Sequence, residues 1–208
     1  MFWFALHKLK RRVVSAALAL MEGIAVVAIV LFGGLGSSWY MVEAGSRLTT
    51  ARKGPWVTWT SAARPDADPY TRAHFVHAGT LPVSAEVERA YVALKDSSGD
   101  RLQSSCEYTI VGKLTKADWW SLAVFDERGR LIPNPAERYA FTGQTIATNS
   151  AGDFMIAMAR EARPGNWLPV GGGGRLAIVL KIVDQRTPDS ANTADDIELP
   201  GITKIRCR

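Results

Sequence analysis

The residues best suited to acid–base chemistry form one short cluster of two acids, an arginine and a histidine: Asp66, Asp68, Arg72 and His74. A pair of carboxylates can hydrolyse a glycosidic bond, one as general acid and the other as base or nucleophile. The same spacing has a structural explanation, because Asp68 precedes Pro69 and is placed to cap a helix. Arg64 and Arg72 can also pair with the two acids. The cluster therefore supports either a catalytic interpretation or a salt-bridge network, and the second is favoured.

Two histidines add a possible metal site to this cluster. His74 and His77 are three residues apart and share one face of the expected helix, with Asp66, Asp68 or Glu86 as a further ligand. The HExxH pattern is absent, and two cysteines are too few for a zinc framework. We therefore expect surface or capping histidines, and predict neither a metal nor a cofactor.

Nucleophile and phosphate motifs are also missing. Ser104 and Ser105 have no local base, and no GxSxG sequence is present. The glycine-rich run 163–175 lacks the GK[ST] ending and leads into an expected strand rather than a helix. We expect these glycines to serve tight turns.

Tryptophans give better evidence for a binding site. The chain has seven of them, and Trp119 and Trp120 are adjacent, so in a strand they face opposite sides. An exposed indole near polar side chains is a platform on which carbohydrate rings stack. This interpretation predicts a concave groove that contains Trp119 or Trp120 together with Trp167. The alternative is ordinary packing in a β core.

A membrane segment is the element most clearly encoded. Residues 1–12 carry four basic side chains, and residues 13–35 are almost continuously apolar, interrupted by Ser15 and Glu22. As a helix this run is about 35 Å long, enough to cross a hydrocarbon core of ~30 Å. The preceding positive charge predicts a cytoplasmic N-terminus and an exported remainder. We predict an anchor over residues 13–36; a cleaved signal peptide is the alternative, although its apolar region is normally shorter.

The net charge of +5 follows from this topology. Without the basic tail and Glu22, 21 basic residues face 19 acidic ones, so the exported part is nearly neutral. Nucleic-acid binding is therefore not expected. Glu22 lies within the apolar span, where a carboxylate is costly, and it suggests self-association or a partner helix in a membrane complex.

The exported part predicts a mostly β fold: a jelly-roll-like β-sandwich with one or two short helices. Residues 37–53 are expected to form a juxtamembrane helix or stalk, and residues 54–208 a single periplasmic β domain. A helix is expected over 69–78, and a hairpin over 87–95 and 103–111 around the turn 96–100. Alternation and turn residues predict further strands over 119–126, 138–141, 144–148, 154–158, 175–183 and 202–207.

Two cysteines follow the membrane segment. In an oxidising periplasm the simplest expectation is one disulfide between Cys106 and Cys207, closing a loop of about 100 residues. Two free thiols are the alternative.

Several blocks resemble the domain of unknown function 1214 family: GPWVTW, ARPDADPYTRAHF, CEYTIVG, ADWWSLAVFDERGRLIPNP and RPGNWLPVGGGGRLAIVLKIVD. The resemblance runs from about residue 54 to 183. It implies a bacterial envelope protein with a jelly-roll-like β domain, similar to the short membrane-anchored members that lack a second domain of unknown function, 1254. The family has no established reaction to transfer. The ligand-binding candidates, most of which match its characteristic blocks, are Tyr70, Arg72, Trp119, Trp120, Asn166 and Trp167.

The sequence therefore predicts a single-pass protein of the bacterial inner membrane whose periplasmic β domain binds a glycan-like ligand or assists envelope assembly. One alternative is a hydrolase or lyase acting on envelope glycans, which requires Asp66, Asp68, Arg72 and His74 to converge in an open cleft. Another is an accessory subunit or homo-oligomer held together through Glu22.

Overall fold

A computed structural model describes residues 2–84, 87–114, 117–172, 174–183 and 197–207, without the side chains of residues 2–10. The chain divides into two compact units, with the boundary between Ser46 and Arg47. The N-terminal unit is helical and the second unit is mostly β.

The N-terminal unit contains three consecutive helical segments. Helix α1 spans Phe2–Ala28, a π-helical segment spans Ile29–Leu35, and α2 spans Gly36–Ala44. Arg11–Ala44 is long and apolar enough to cross a membrane, a property that signal sequences share. Glu22 lies in α1 with its side chain exposed.

The expected stalk over residues 37–53 is only partly helical. Helix α2 ends at Ala44, and Gly45 leaves the helical conformation with φ of 66°. Strand β1 (Thr50–Lys53) then pairs with β2 (Trp56–Trp59) across the turn at Gly54. The pairing competes with helix continuation because it allows Trp56 to be buried in the β core, where it is 1% exposed.

The described residues of the second unit form ten strands in two sheets. The six-stranded sheet has the order β1-β2-β3-β9-β5-β6 and is antiparallel throughout. The four-stranded sheet has the order β10-β4-β7-β8, in which β7 and β8 are parallel. The remaining strands are β3 (Glu88–Ala93), β4 (Cys106–Gly112), β5 (Trp119–Asp126), β6 (Ala140–Thr142), β7 (Phe154–Ala159), β8 (Asn166–Pro169), β9 (Leu176–Val183) and β10 (Gly201–Cys207).

Both sheets contribute to one hydrophobic core. In β9 alternate residues are buried, among them Ile178 and Leu180. Leu122 on β5 and Ile156 on β7 belong to the same cluster, although their strands lie in different sheets. Each such side chain contributes about 1.5–3 kcal/mol of burial energy. The architecture is mostly β and consistent with a β-sandwich, as the alternation in the sequence predicts.

The expected hairpin over 87–95 and 103–111 is wrong. Strand β3 pairs with β2 and β9, whereas β4 pairs with β7 and β10 in the other sheet. The turn itself forms, and Lys95 and Arg101 make a single bridge around it. The two chain segments then separate, because their apolar faces are buried more completely by two different sheets than by a two-stranded ribbon.

Three turns share one design of an Asx residue, two variable residues, a glycine and a fifth residue. They begin at Asp96, Asp126 and Asn149, and in each the first side chain accepts backbone N–H bonds from the third and fifth residues at 2.8–3.0 Å. The glycine has φ between 70° and 94°, a conformation that favours glycine. In each turn, the residue before the Asx residue and the residue after the fifth position form an isolated antiparallel bridge.

Two further expectations differ from the structure. Residues 144–147 form a turn and a bend rather than a strand, and Thr148 makes only an isolated bridge to Phe154. Residues 166–169, which belong to the glycine-rich run 163–175, form the parallel strand β8. Of the expected loop at 171–174, Gly173 lies outside the described residues. The expected helix is confirmed as α3 (Pro69–His77), with Asp68 as its N-cap.

Candidate functional site

The acidic cluster near residue 70 is occupied by structural contacts. Asp66 forms a bidentate pair with Arg64 at 3.0 and 3.1 Å and is largely exposed. Asp68 accepts bonds from the Thr71 hydroxyl, at 2.5 Å, and from the Tyr70 and Thr71 amides. Burial raises the pKa of Asp68, but these bonds and one from Ser61 outweigh it and hold the pKa below its ordinary value. Asp68 is therefore an ionised helix cap.

Arg72 and His74 also face separate partners. The Arg72 guanidinium donates to the carbonyl of Pro65 at 2.8 Å. The imidazole of His74 stacks on Trp59 with ring centroids 4.2 Å apart, and this contact joins α3 to β2. Each of the four side chains is thus engaged by a structural contact, which favours the salt-bridge and capping interpretation over the hydrolase hypothesis. Within the described part of the chain no group of three metal-ligating side chains occurs, and Glu86 lies outside that part.

A cleft of about 350 Å³ lies instead at one end of β5, beside the aromatic pair. It is bounded by the segment after β4, by the start of β5 and by the connection from β6 to β7. Its apolar wall is aromatic and aliphatic, and its polar groups are a carboxylate, an amide and a hydroxyl. The described lining residues are Leu114, Ala117, Asp118, Trp119, Trp120, Gly143, Gln144, Ile146, Thr148, Gly152 and Phe154.

Trp119 and Trp120 have different roles in this cleft. Trp119 is 38% exposed, so its indole is accessible to a ligand, whereas Trp120 is only 5% exposed. The Trp120 ring stacks on Phe154 with centroids 5.1 Å apart and planes 24° apart. Because Trp120 lies on β5 and Phe154 on β7, this stack joins the two sheets beneath the cleft. The alternation expected for the two tryptophans is what places one at the surface and the other in the core.

Asn166 supports the cleft without lining it. Its side-chain carbonyl accepts the Ala147 amide at 2.9 Å, and its amide group donates to the carbonyls of Ala147 and Met155 at 2.8 and 3.0 Å. Ala147 lies between the lining residues Ile146 and Thr148, so the Asn166 amide fixes the position of that wall. Within the described residues, the Asn166 side chain therefore acts on the backbone of this wall.

The other predicted ligand contacts lie elsewhere. The Trp167 indole donates to the carbonyl of Ala159 at 3.0 Å, and its own carbonyl accepts a bond from Arg138. Tyr70 and Arg72 belong to α3. None of these three residues is among those that line the cleft. The groove expected to contain Trp167 therefore contains Trp119 and Trp120 without it.

The disulfide between Cys106 and Cys207 is present, and it lies outside the cleft lining. It joins the first residue of β4 to the last residue of β10. The adjacent Glu107 carboxylate is bound by Arg163 at 2.6 and 2.7 Å and by Arg206 at 3.0 Å. The hydrogen bond from Arg206, aided by Arg163, holds the pKa of Glu107 below its ordinary value despite the opposing effect of burial. Together these contacts attach the C-terminal strand.

Sequence reasoning missed the residues on the β6–β7 side of the cleft. The sequence predicts a strand that contains Gln144 and Thr148 and begins directly after Gly143, and the spacing of these residues matches no functional motif. One signal was available: the strand expected at 144–148 was weak in alternation, and loops between strands often carry binding residues.

Residues 88–186 match the family described as "Protein of unknown function (DUF1214)". No curated protein matches the chain. Among solved structures, the VPA0106 protein from Vibrio parahaemolyticus has a TM-score of 0.59 at 18% identity, covering 84% of this chain and 43% of that one. An uncharacterised protein from Burkholderia cenocepacia has a TM-score of 0.43 at 13% identity, covering 75% of this chain and 36% of that one. This chain thus spans less than half the length of either protein, and the first likeness concerns the fold alone.

The matched range begins at the first residue of β3 and ends just after β9, so it contains every described residue of the cleft lining. The GPWVTW and DPYTRA blocks precede it. The match over residues 88–186 lies within this β domain and supports the predicted resemblance to the family of proteins of unknown function designated DUF1214.

Proposed function

We propose that this chain is a membrane-anchored binding protein whose β domain takes a small, ring-shaped ligand of the pyranose type in the Trp119–Trp120 cleft. The observation that carries the proposal is the pairing of an accessible indole with polar groups around one concavity. Trp119 offers a flat apolar surface, while Gln144 and Thr148 can exchange hydrogen bonds with hydroxyl groups. A sugar ring has this combination of an apolar face and a polar rim.

The size of the cleft also suits a small cyclic ligand. The cleft volume of about 350 Å³ lies at the lower end of the range for small-molecule sites, which suits one or two sugar rings.

The location we propose is the bacterial inner membrane, with the N-terminus in the cytoplasm and the β domain in the periplasm. Its support is the apolar helix, the basic residues before it and the disulfide, which suits an oxidising compartment. A binding domain at that surface would meet soluble glycans or envelope glycans. The described lining has one carboxylate, and this favours binding over two-carboxylate hydrolysis.

The test is a titration of the full-length chain in mild detergent with a panel of methyl pyranosides, including methyl N-acetyl-β-glucosaminide, followed by tryptophan fluorescence. We expect saturable quenching that Trp119→Ala weakens at least tenfold. The control is Trp39→Ala, since Trp39 is an exposed tryptophan of the N-terminal unit, 59% exposed. Absence of saturable quenching across the panel, or equal loss in both variants, would overturn the proposal.

A further inference from the structure

We infer that the ligand of this cleft presents a hydrogen-bond acceptor to the indole N–H of Trp120, in the space that Gly143 leaves beside it. The inference rests on the proposed function and specifies the chemistry of that ligand. It makes Trp120 a specificity-determining residue, although its ring is otherwise part of the core.

The first observation is a donor without a protein partner on a side chain that is almost entirely buried. Trp120 is 5% exposed, and among the described residues its Nε1 donates to no acceptor. Indole N–H groups of buried tryptophans normally have a hydrogen-bond partner. Among the described residues Nε1 is not one of the fully enclosed polar atoms, so it retains some accessible surface. Trp120 also lines the cleft, so the inference assigns this accessible surface to the ligand space.

The second observation is the glycine beside this donor. A Cβ atom placed on Gly143 would lie 3.0 Å from Nε1 of Trp120, and 3.5 and 3.6 Å from its Cδ1 and Cε2 atoms. Gly143 does not have a positive φ, so its backbone conformation does not require glycine. A glycine at this position is instead explained by space, because any larger residue would crowd the edge of the indole ring.

These observations limit the ligand class. An acceptor oxygen must reach Nε1 while an apolar face lies against Trp119, and a pyranoside satisfies both with a hydroxyl, a ring oxygen or an acetamido carbonyl. A purely hydrocarbon ligand would leave the donor unsatisfied and should bind poorly. Cyclohexane-like or aliphatic compounds of similar size are therefore expected to be rejected, as when any site built for a hydrogen bond meets an analogue that lacks it.

The direct test uses the full-length chain in detergent with ¹⁵N-labelled tryptophan. Methyl N-acetyl-β-glucosaminide is titrated while the indole N–H resonances are observed, and Trp120→Phe assigns the resonance of interest. We expect the Trp120 indole proton to move downfield at saturation. If the Trp119 resonance shifts and that of Trp120 stays in place, the inference is wrong and the proposed function stands. If neither resonance shifts, both are wrong.

A variant pair tests the role of the open space. Gly143→Ala should weaken the binding of the same glycoside at least tenfold, because the added methyl group covers Nε1. The matched control is Gly201→Ala, whose Cβ would meet no atom closer than 4.0 Å. Unchanged affinity in folded Gly143→Ala would overturn the inference. Should that variant unfold, the resonance titration on the unaltered chain decides alone.

Discussion

At the scale of single residues, two asparagines carry out the same structural task in different places. Asn166 and Asn134 each accept one backbone N–H and donate to two backbone carbonyls. Asn166 fixes the wall of the cleft, while Asn134 holds the connection between β5 and β6. A side-chain amide is the smallest group that can satisfy all three backbone atoms at once. The sequence predicts a polar role for Asn166, but the residue type alone does not reveal which backbone groups the side chain contacts.

This pair allows a controlled prediction for Asn166→Asp. The carboxylate would lose both donations and face two carbonyl oxygens, so we expect a loss of about 1–3 kcal/mol in the free energy of unfolding. Because the wall at Ala147 would move, glycoside affinity should fall at least fivefold. Urea denaturation and fluorescence titration measure the two effects.

Asn134→Asp is the control, since it loses the same kinds of bond outside the cleft. It should reduce stability to a similar extent and leave affinity unchanged. If the two variants bind the glycoside equally well, Asn166 does not position the cleft.

At the scale of elements, local signals in the sequence predict individual strands and turns better than they predict which strands pair. The strand over 119–126 and the turn at 96–100 are present as expected, because alternation and Asx or glycine positions act within a few residues. The hairpin assigned to β3 and β4 is wrong because pairing depends on which sheet buries each face, a non-local property. Strand β8 was missed for the same reason: its parallel pairing with β7 has no short-range signature. In the cleft, the sequence therefore predicts the side formed by Trp119 and Trp120, but it does not predict the side formed by the connection from β6 to β7.

The repeated turn permits a prediction about Asn149. Asn149→Ala removes the acceptor for the amides of Ala151 and Asp153, so we expect the melting temperature to fall by about 2–4 °C, the shift produced by roughly 1 kcal/mol in a chain of this size. Ser150→Ala is the matched control, because the Ser150 hydroxyl forms no hydrogen bond within the described residues. A melting temperature equally lowered in both variants, or in neither, would show that the Asx bonds do not support this turn.

The contact between Glu107 on β4 and Arg206 on β10 should make the stability of the β domain depend on pH in the acidic range. The pKa of Glu107 is lowered in the folded state, chiefly by the hydrogen bond from Arg206. A lowered pKa stabilises the fold fully above the unfolded value of about 4.3, and the contribution is lost as pH falls through the lower folded value. We therefore expect thermal stability to decline below about pH 4. Glu107→Gln should flatten this decline, and an unchanged slope in that variant would contradict the assignment.

At the scale of the whole molecule, the charge distribution is a topology signal. The four basic residues precede the apolar run 13–35, and the remainder of the chain, apart from Glu22, is nearly balanced. The helix Arg11–Ala44 meets the length requirement of a bilayer span with residues to spare. A function that depends on a ligand outside the cytoplasm therefore depends on which way this helix inserts.

The final prediction concerns that orientation. Alkaline phosphatase, which folds only in an oxidising compartment, should be active when fused after Arg208, whereas a green fluorescent protein fusion at the same site should be dark. Replacing the basic side chains at Lys8, Lys10, Arg11 and Arg12 by glutamate should weaken or reverse this pattern, because positive charge is retained on the cytoplasmic side.

The unaltered chain should stay in the membrane fraction after alkaline carbonate extraction with its full mass of 22.7 kDa. A shorter, extractable product would instead identify the helix as a cleaved signal sequence. The glycoside cleft would then act in a soluble periplasmic protein. Phosphatase inactivity together with a fluorescent fusion would place the β domain in the cytoplasm and remove the redox argument for the disulfide.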